Sequence, residues 1–436
     1  MLFRNQTRNE FRRIIHPADT VEKIKEAFKE FDLVPRVKII KHCDDLWYVR
    51  LTIPEIKAVS NGKGTTEITA LASAYAELAE RISGGMDTGL DIAPHRKIYG
   101  TKNDLIYDVM LYKYMKGYQW THQDNLQNPV LAEDLLSCHG FVKEQFDLLK
   151  QESELMRHWV TGYSLLQDKE VKVPLLFVKW ISATNGLASG NTIEEAIVHG
   201  ACEIFERDAA IKFLRRPDEK GYPTIDHGSI NDETVQKLLK YFKQHNIGTV
   251  IKDIGQGIYP VLAVMTFNMS LSPRHVSYNV FKAGSSFDTL EALLRCFTER
   301  MQGTTFAYEL ERGFKTTEED ADSLISTFFN GDCPLDLRPY KSGELKRFEN
   351  ETINGTCMEI DQCINIARKL DTDLIVVDHT HPVINFPTVR VIMPGVSDFI
   401  KWWGRQQTTL NFIGNLEPKE DMYEAKLMEI LRSFKR

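Results

Sequence analysis

Residues 77–81 read Glu-Leu-Ala-Glu-Arg, and residues 203–207 read Glu-Ile-Phe-Glu-Arg. The pattern E-x-x-E-R thus occurs twice. Each copy closes a helix-period stretch that opens on a short turn of Gly, Thr and Asn. The same interval before the first Glu of each copy is a glycine, Gly64 in one case and Gly190 in the other. Two glutamates three residues apart share one face of a helix. Two such faces meeting in one fold crowd four carboxylates together, which is costly unless cations neutralise them. Carboxylates edged by arginines suit Mg2+ and polyphosphate.

The turn at 60–64 (Ser-Asn-Gly-Lys-Gly) leads into a predicted helix over 66–83. The small-residue turn at 184–191 leads into a second over 192–214, with Thr192 and Glu195 in capping-box form. A third helix, over 288–302, follows a Gly-Ser-Ser turn. At about 100° per residue, Ser73, Glu77, Glu80 and Arg81 fall within an arc of roughly 100°. Glu195, His199, Glu203 and Glu206 fall within about 80°, and Glu291, Arg295, Glu299 and Gln302 form a third stripe. The opposite faces carry Ile68, Leu71 and Leu78 in the first helix and Ile197, Ile204 and Phe205 in the second. One such stripe alone reads as a solvated face with ion pairs four residues apart. The repeated register after matched turns is what makes these faces candidates for a site.

Elsewhere, helices are predicted over 21–31, 108–116, 131–160, 233–245 and 316–329. Strands are predicted over 37–40, 46–53, 171–182, 248–253, 261–267, 373–378 and 388–393, and residues 331–355 read as irregular. The alternation of strands and helices argues for an α/β or α+β core. No Gly/Ser-rich or Pro-rich linker divides the 436 residues, so residues 1–436 read as one composite domain. Gly62-Lys63-Gly64-Thr65-Thr66 is similar to the tail of a P-loop, but the upstream glycine is missing and Gly follows Lys, so no P-loop is expected. Asp378-His379-Thr380-His381 reads as a polar strand-end loop, Cys202 as a small buried thiol, and Trp402-Trp403 as core or interface.

The formal net charge of −7 gives no basic excess to steer nucleic acid. The apolar runs are too short to span a bilayer, and the basic segment 1–15 has no apolar core of a signal peptide. Seven scattered cysteines with no C-x-x-C fit a reducing cytoplasm.

On these residues the chain resembles the YcaO family of ATP-dependent peptide-backbone-modifying enzymes. The family's S-x3-E-x-x-E-R signature stands complete as Ser73, Glu77, Glu80 and Arg81. Its second region, a Gly-Asn-Thr turn followed by a Glu and a downstream E-x-x-E-R, stands as Gly190, Asn191, Thr192, Glu195, Glu203, Glu206 and Arg207. Its third matches Arg295 and Glu299. The similarity covers about residues 56–394. Two positions depart from the family pattern. Ala188 and His199 occupy places often held by Ser and Gln, and His is similar to relatives linked to thioamide formation. The sequence closes on Leu431–Arg436 instead of the Pro-rich tail common in azoline-forming members.

The resemblance implies a YcaO-type fold with ATP bound between the helices. It implies Mg2+ held by Glu77, Glu80, Glu195, Glu203 and Glu206, with Arg81, Arg207 and Arg295 on phosphate oxygens or the glutamates. Ser73 and Asn191 would give neutral hydrogen bonds, His199 would stand in the nucleotide pocket, and Glu299 would be a ligand or orient Arg295. The implied reaction is O-phosphorylation of a peptide backbone amide for attack by a nucleophile. Thioamide formation is favoured, with azoline formation at Cys, Ser or Thr as the alternative and a non-catalytic peptide-binding scaffold as the reading of another class. The implied partners are a peptide or protein substrate, a leader-binding or sulfur-supplying protein, and a second copy in a homodimer. The general base is not identified.

Overall fold

Three times in this chain a strand runs through a glycine into a helix. β3 (Ala58–Gly64) leads into α2 (Glu67–Ser83), β7 (Leu187–Ser189) into α3 (Ile193–Arg215), and β11 (Asn279–Ser285) into α5 (Thr289–Arg300). The glycines are required by close approach. A Cβ on Gly64 would lie 2.6 Å from Ala70 N, and one on Gly190 would lie 2.6 Å from Ala196 N. The matched glycines thus seat matched first turns, and only a residue without a side chain fits there. The computed structural model describes residues 3–29, 33–54, 58–84, 121–122, 129, 158–174, 178, 184–215, 222–312, 337–338, 343–381 and 384–396.

Each unit belongs to a different sheet. β1 (Arg36–Cys43), β2 (Leu46–Ile53) and β3 form an antiparallel sheet in that order, covered by α2 and by α1 (Pro17–Lys29). The second sheet has the order β11-β10-β9-β8-β12, adding β8 (Thr224–Ile225), β9 (Ile247–Asp253), β10 (Val261–Asn268) and β12 (Leu345–Lys346). The third has the order β4-β5-β13-β14-β7, with β6 paired to β5. Its further strands are β4 (Thr121–His122), β5 (His158–Ser164), β6 (Lys169–Pro174), β13 (Ile375–Asp378) and β14 (Thr388–Ile392). Among the described strand pairs only β8–β12 is parallel, so the mixed fold is α+β in character.

α3 lies at the centre. Ala196, Ile197, Ala201, Ile204 and Phe205 are buried in one core with Ala263, Met265 and Phe267 of β10, with Val389 and Val391 of β14, and with α7 (Thr356–Lys369). The alternate β10 residues, Leu262 and Val264, enter a second core with α4 (Glu233–Gln244) and α5. Every β10 residue is buried, because both faces of the strand are covered. A short helix, α6 (Phe306–Glu311), follows α5.

The three site-bearing helices match their predicted spans closely. Asp288 caps α5 by accepting from Glu291 N. Thr66 and Thr69 form a reciprocal capping box on α2. Thr192 accepts from Glu195 N at 3.2 Å, but the Glu195 carboxylate takes the Asn191 N–H at 2.8 Å, so the second box is half formed. Two stretches expected as turns contain strands, 58–64 and 187–189. Asn and Gly mimic a turn signature there, whereas Gly62 serves to let α2 close down: a Cβ on it would meet Ala74 N at 2.4 Å. Residues 158–160, expected to end a helix, begin β5. β11 and α7 were not anticipated. The helices expected over 108–116, 131–157 and 316–329, together with Trp402, Trp403, Cys138 and Cys333, lie outside the described residues. No helix among the described residues is long and apolar enough to cross a membrane.

Candidate active site

The polar faces of α2, α3 and α5 converge on one cleft. On α2, Ser73 is half-buried one turn before Glu77. Arg81 reaches back to Glu77 at 3.6 Å and to Glu80 at 4.0 Å. Glu80 crosses to the third sheet, where its Oε2 accepts the Ser189 N–H at 3.0 Å, while Ser189 Oγ donates to Ala76 O at 3.1 Å. On α3, Arg207 pairs with Glu203. His199 Nδ1 lies 3.3 Å from Ser189 O, so its ring sits beside the strand that Glu80 grips. On α5, Arg295 Nε donates to Glu291 Oε1 at 3.2 Å, and Glu299 is ion-paired with Lys63 of β3.

The electrostatics show which groups share a field. Burial pushes the Glu80 carboxyl up to about 8 against the pull of Arg81, and Glu203 and Glu77 add to the rise. Burial likewise raises Glu206 to about 8, with Glu299 and Glu203 reinforcing it against Arg207 and Lys63. Burial raises Glu77 as well, resisted by Arg81 and Lys63. Glu299 moves down, because Lys63 and Lys282 outweigh its burial. Glu77, Glu80, Glu203, Glu206 and Glu299 thus form one acidic group drawn from all three helices. Among the described residues no three acidic, His or Cys side chains already stand as a metal cage. Arg81, Arg207 and Lys63 occupy the carboxylates instead. The donor set still fits Mg2+: hard oxygens, more acid than the local bases neutralise, and cationic side chains that can turn to phosphate.

Glu195, expected in the same metal set, is placed in a second cluster. Its Oε2 accepts from Asn191 N and Nδ2 at 2.8 and 3.0 Å, and its Oε1 lies 3.4 Å from Arg8. Arg8 binds Glu359 of α7 through two bonds, of 3.2 and 2.9 Å. Arg13 donates to Glu291 at 2.7 Å, and Arg12 pairs with Asp288 at 3.1 Å. The N-terminal segment therefore straps α3, α5 and α7 together. Against the burial that would raise it, Arg13 and Arg295 hold the Glu291 carboxyl at about 2. His199 is solvent-accessible, yet the surrounding protein, with Arg295 and Arg13, pushes its pKa down to about 3.

Sequence reasoning missed Arg8, Arg12, Arg13, Glu359, Lys63 and Lys282. Lys63 lies within a Gly-Lys-Gly run whose composition reads as a turn. The arginines carried a signal too, three cations within six residues of an aperiodic stretch, but nothing in it indicated where they bind. Cys202 is a buried thiol with its pKa raised to about 11 by burial, as expected of a core residue and not of a nucleophile.

Residues 61–397 match the family described as YcaO cyclodehydratase, ATP- and Mg2+-binding. A Rhizobium leguminosarum bv. trifolii protein named as an uncharacterized protein in the tfuA 3' region is 26% identical over 260 residues, 55% of this chain and 60% of that protein. A solved heterocyclase in complex with substrate and cofactor superposes with a TM-score of 0.66 at 19% identity, covering 92% of this chain and 55% of the other. YcaO from Methanopyrus kandleri bound with AMPPCP and Mg2+ superposes at 0.56 with 18% identity, covering 89% and 93%. Both structural likenesses are likenesses of fold. The chain spans 60% of the Rhizobium relative and little more than half of the heterocyclase.

Proposed function

The chain belongs to the YcaO family, and from that membership we propose that it uses ATP and Mg2+ to phosphorylate the oxygen of a peptide backbone amide. The observation that carries this is the acidic group gathered from α2, α3 and α5, in which Glu80 and Glu206 are held near pKa 8. Buried like charges of this kind are retained where a bound cation makes use of them. Glu77, Glu80, Glu203 and Glu206 would hold Mg2+, with Glu195 at the Asn191 end of the cleft. The chemistry that Mg2+ would supply there is neutralisation of charge on the transferred phosphoryl group. Arg81, Arg207 and Lys63, now on carboxylates, would take phosphate oxygens. Asn191, Ser73 and His199 would orient the nucleotide, and Arg295, steadied by Glu291, would face its phosphates.

In the overall reaction a nucleophile adds to the amide carbon. The displaced oxygen takes the phosphoryl group and leaves as phosphate. With sulfide the balance is amide plus hydrogen sulfide plus ATP giving thioamide, ADP and phosphate. We place sulfide first because His199 stands where the family pattern often carries Gln. The cyclodehydratase description of the family favours the second reading, azoline formation from a Cys, Ser or Thr of the same peptide. The acceptor would be a ribosomal peptide brought by a leader-binding or sulfur-supplying partner, and the enzyme a homodimer of one catalytic domain.

Glu203→Gln should abolish Mg-dependent ATP turnover, by at least about 100-fold, while the circular dichroism stays that of the wild type. Wild-type turnover in that variant would remove the metal assignment. Mass spectrometry of the modified peptide separates the products: exchange of oxygen for sulfur adds ~16 Da, and cyclodehydration removes ~18 Da.

A further inference from the structure

Beyond Glu206 and Glu299 the structure holds a cavity of about 410 Å3. Its walls come from β2 and β3 (Tyr48, Arg50, Asn61), from Lys282 on β11, and from the end of α5 and α6, including Tyr308 and Arg312. Its volume lies in the range of small-ligand sites. Glu206, Arg207 and Glu299 line it, whereas Ser73, Asn191, Glu195, His199 and Arg295 do not. Of the groups assigned to metal and phosphate, Glu206 and Arg207 line the cavity whereas Glu77, Glu80, Arg81 and Glu203 do not, so it meets the nucleotide cleft at one end of that set. Phosphoryl transfer needs the accepting oxygen in line with the phosphoryl group, so an acceptor must approach from the phosphate end. This cavity is the approach of that kind.

The lining carries Arg50, Lys282, Arg300 and Arg312 beside Glu206, Glu299 and Glu309, together with Arg207, which is paired with Glu203. Glu309 is already bound by both forks of Arg300, at 2.5 and 2.9 Å, and Arg300 Nε also donates to Thr266 at 2.6 Å. That pair is 1% and 3% exposed. A buried pair of this kind adds little net stability but fixes geometry, here the seat of α6 that presents Tyr308 and Arg312 to the cavity. Glu299 is held by Lys63, and Glu206 belongs to the metal group. The Lys282 side chain makes no hydrogen bond or ion pair among the described residues; burial lowers its pKa, and Glu299 and Glu206 oppose that shift. Arg312 stacks over the Tyr308 ring, 5.9 Å from its centroid, and Arg50 is exposed beside Tyr48. An ammonium and two guanidinium forks around one space are the usual recognition set for a carboxylate.

Resting on the amide-activation chemistry above, we propose that this cavity is the acceptor site and that it selects a peptide segment bearing a carboxylate, held by Lys282 with Arg50 and Arg312. The carboxylate can come from an Asp or Glu side chain or from a peptide C-terminus.

Fluorine NMR titration of the full chain with three probes tests this: trifluoroacetyl-Gly-Gly-Asp-amide, trifluoroacetyl-Gly-Gly-Gly with a free carboxylate, and trifluoroacetyl-Gly-Gly-Asn-amide. Each is titrated with and without Mg2+ and a non-hydrolysable ATP analogue. At least one carboxylate probe should bind about tenfold tighter than the Asn probe, the worth of one charge-assisted hydrogen bond. The tighter of the two identifies the source. Lys282→Gln should erase that preference while the analogue binds as in the wild type, and Arg50→Gln, an exposed change, should weaken it. Equal binding of the Asp, Gly and Asn probes overturns the proposal, as does an unchanged preference in both variants. Carboxylate-selective binding in a protein that fails to bind the analogue would refute the nucleotide assignment and leave this site standing.

Discussion

Glu80→Gln should stabilise the metal-free protein at alkaline pH even though it removes a residue assigned to catalysis. The Glu80 side chain is buried and accepts the Ser189 N–H, which a glutamine carbonyl oxygen can also accept. Burial, then the repulsion of Glu203 and Glu77, lifts its pKa from the ordinary 4.5 to about 8 in spite of Arg81. The folded chain therefore keeps a proton that the unfolded chain releases once pH passes the ordinary carboxyl range. The unfolded state binds fewer protons in that window, so stability is full below about pH 4.5 and is lost as pH rises towards about 8. At about 1.4 kcal/mol per tenfold in proton affinity, the gap sets a ceiling of about 5 kcal/mol. Relaxation of Arg81 and water entry bring the expected value to about 2–4 kcal/mol. Urea midpoints of the wild type and Glu80→Gln, measured in a chelator from about pH 5 to 8.5, give the check. The two should agree within about 1 kcal/mol at the acid end, and the variant should lead at the alkaline end. Saturating Mg·ATP should reverse the order, because only the wild type gains binding free energy from the loaded site. A variant weaker than the wild type at about pH 8.5 without metal would refute the reasoning, since the carboxylate would then be stabilising the fold and not straining it.

His199→Leu should raise the Michaelis constant for ATP several-fold, and His199→Gln should keep it near the wild-type value; with the imidazole pKa at about 3, the affinity should also stay flat through about pH 6.5, and a step there would count against the assignment. Arg13→Met should cost about 1–3 kcal/mol at about pH 7. Glu291, held at about 2, contributes stability that is present above the ordinary carboxyl pKa and lost as pH falls towards that value. The gap between Arg13→Met and the wild type should therefore shrink below about pH 4.5, and a gap that grows on acidification would show that Arg13 acts elsewhere.

What the sequence revealed, and what it hid, divides along one physical line. Positions within a helix are fixed by about 3.6 residues per turn, so the stripes Ser73–Glu77–Glu80–Arg81 and Glu195–His199–Glu203–Glu206 could be read before any tertiary contact was known. The repeated register held because Gly64 and Gly190 press on Ala70 and Ala196 in the same way. The same glycines misled at the level of the strand. Close packing and turn chemistry both select Gly, and only the packed α2 shows that 58–64 is a strand carrying Lys63 into the site. Partners across elements follow no local period at all. Glu291 illustrates the limit: its pairing with Arg295 four residues on was legible from helix geometry, whereas its pairing with Arg13, which dominates its acidity, depends on where an aperiodic segment comes to rest. The contact of Glu195 with Arg8 was hidden for the same reason, since Arg8 arrives from a segment 187 residues away. The polar faces were thus legible as donors of charge, and the choice of which charge each one meets belongs to the fold.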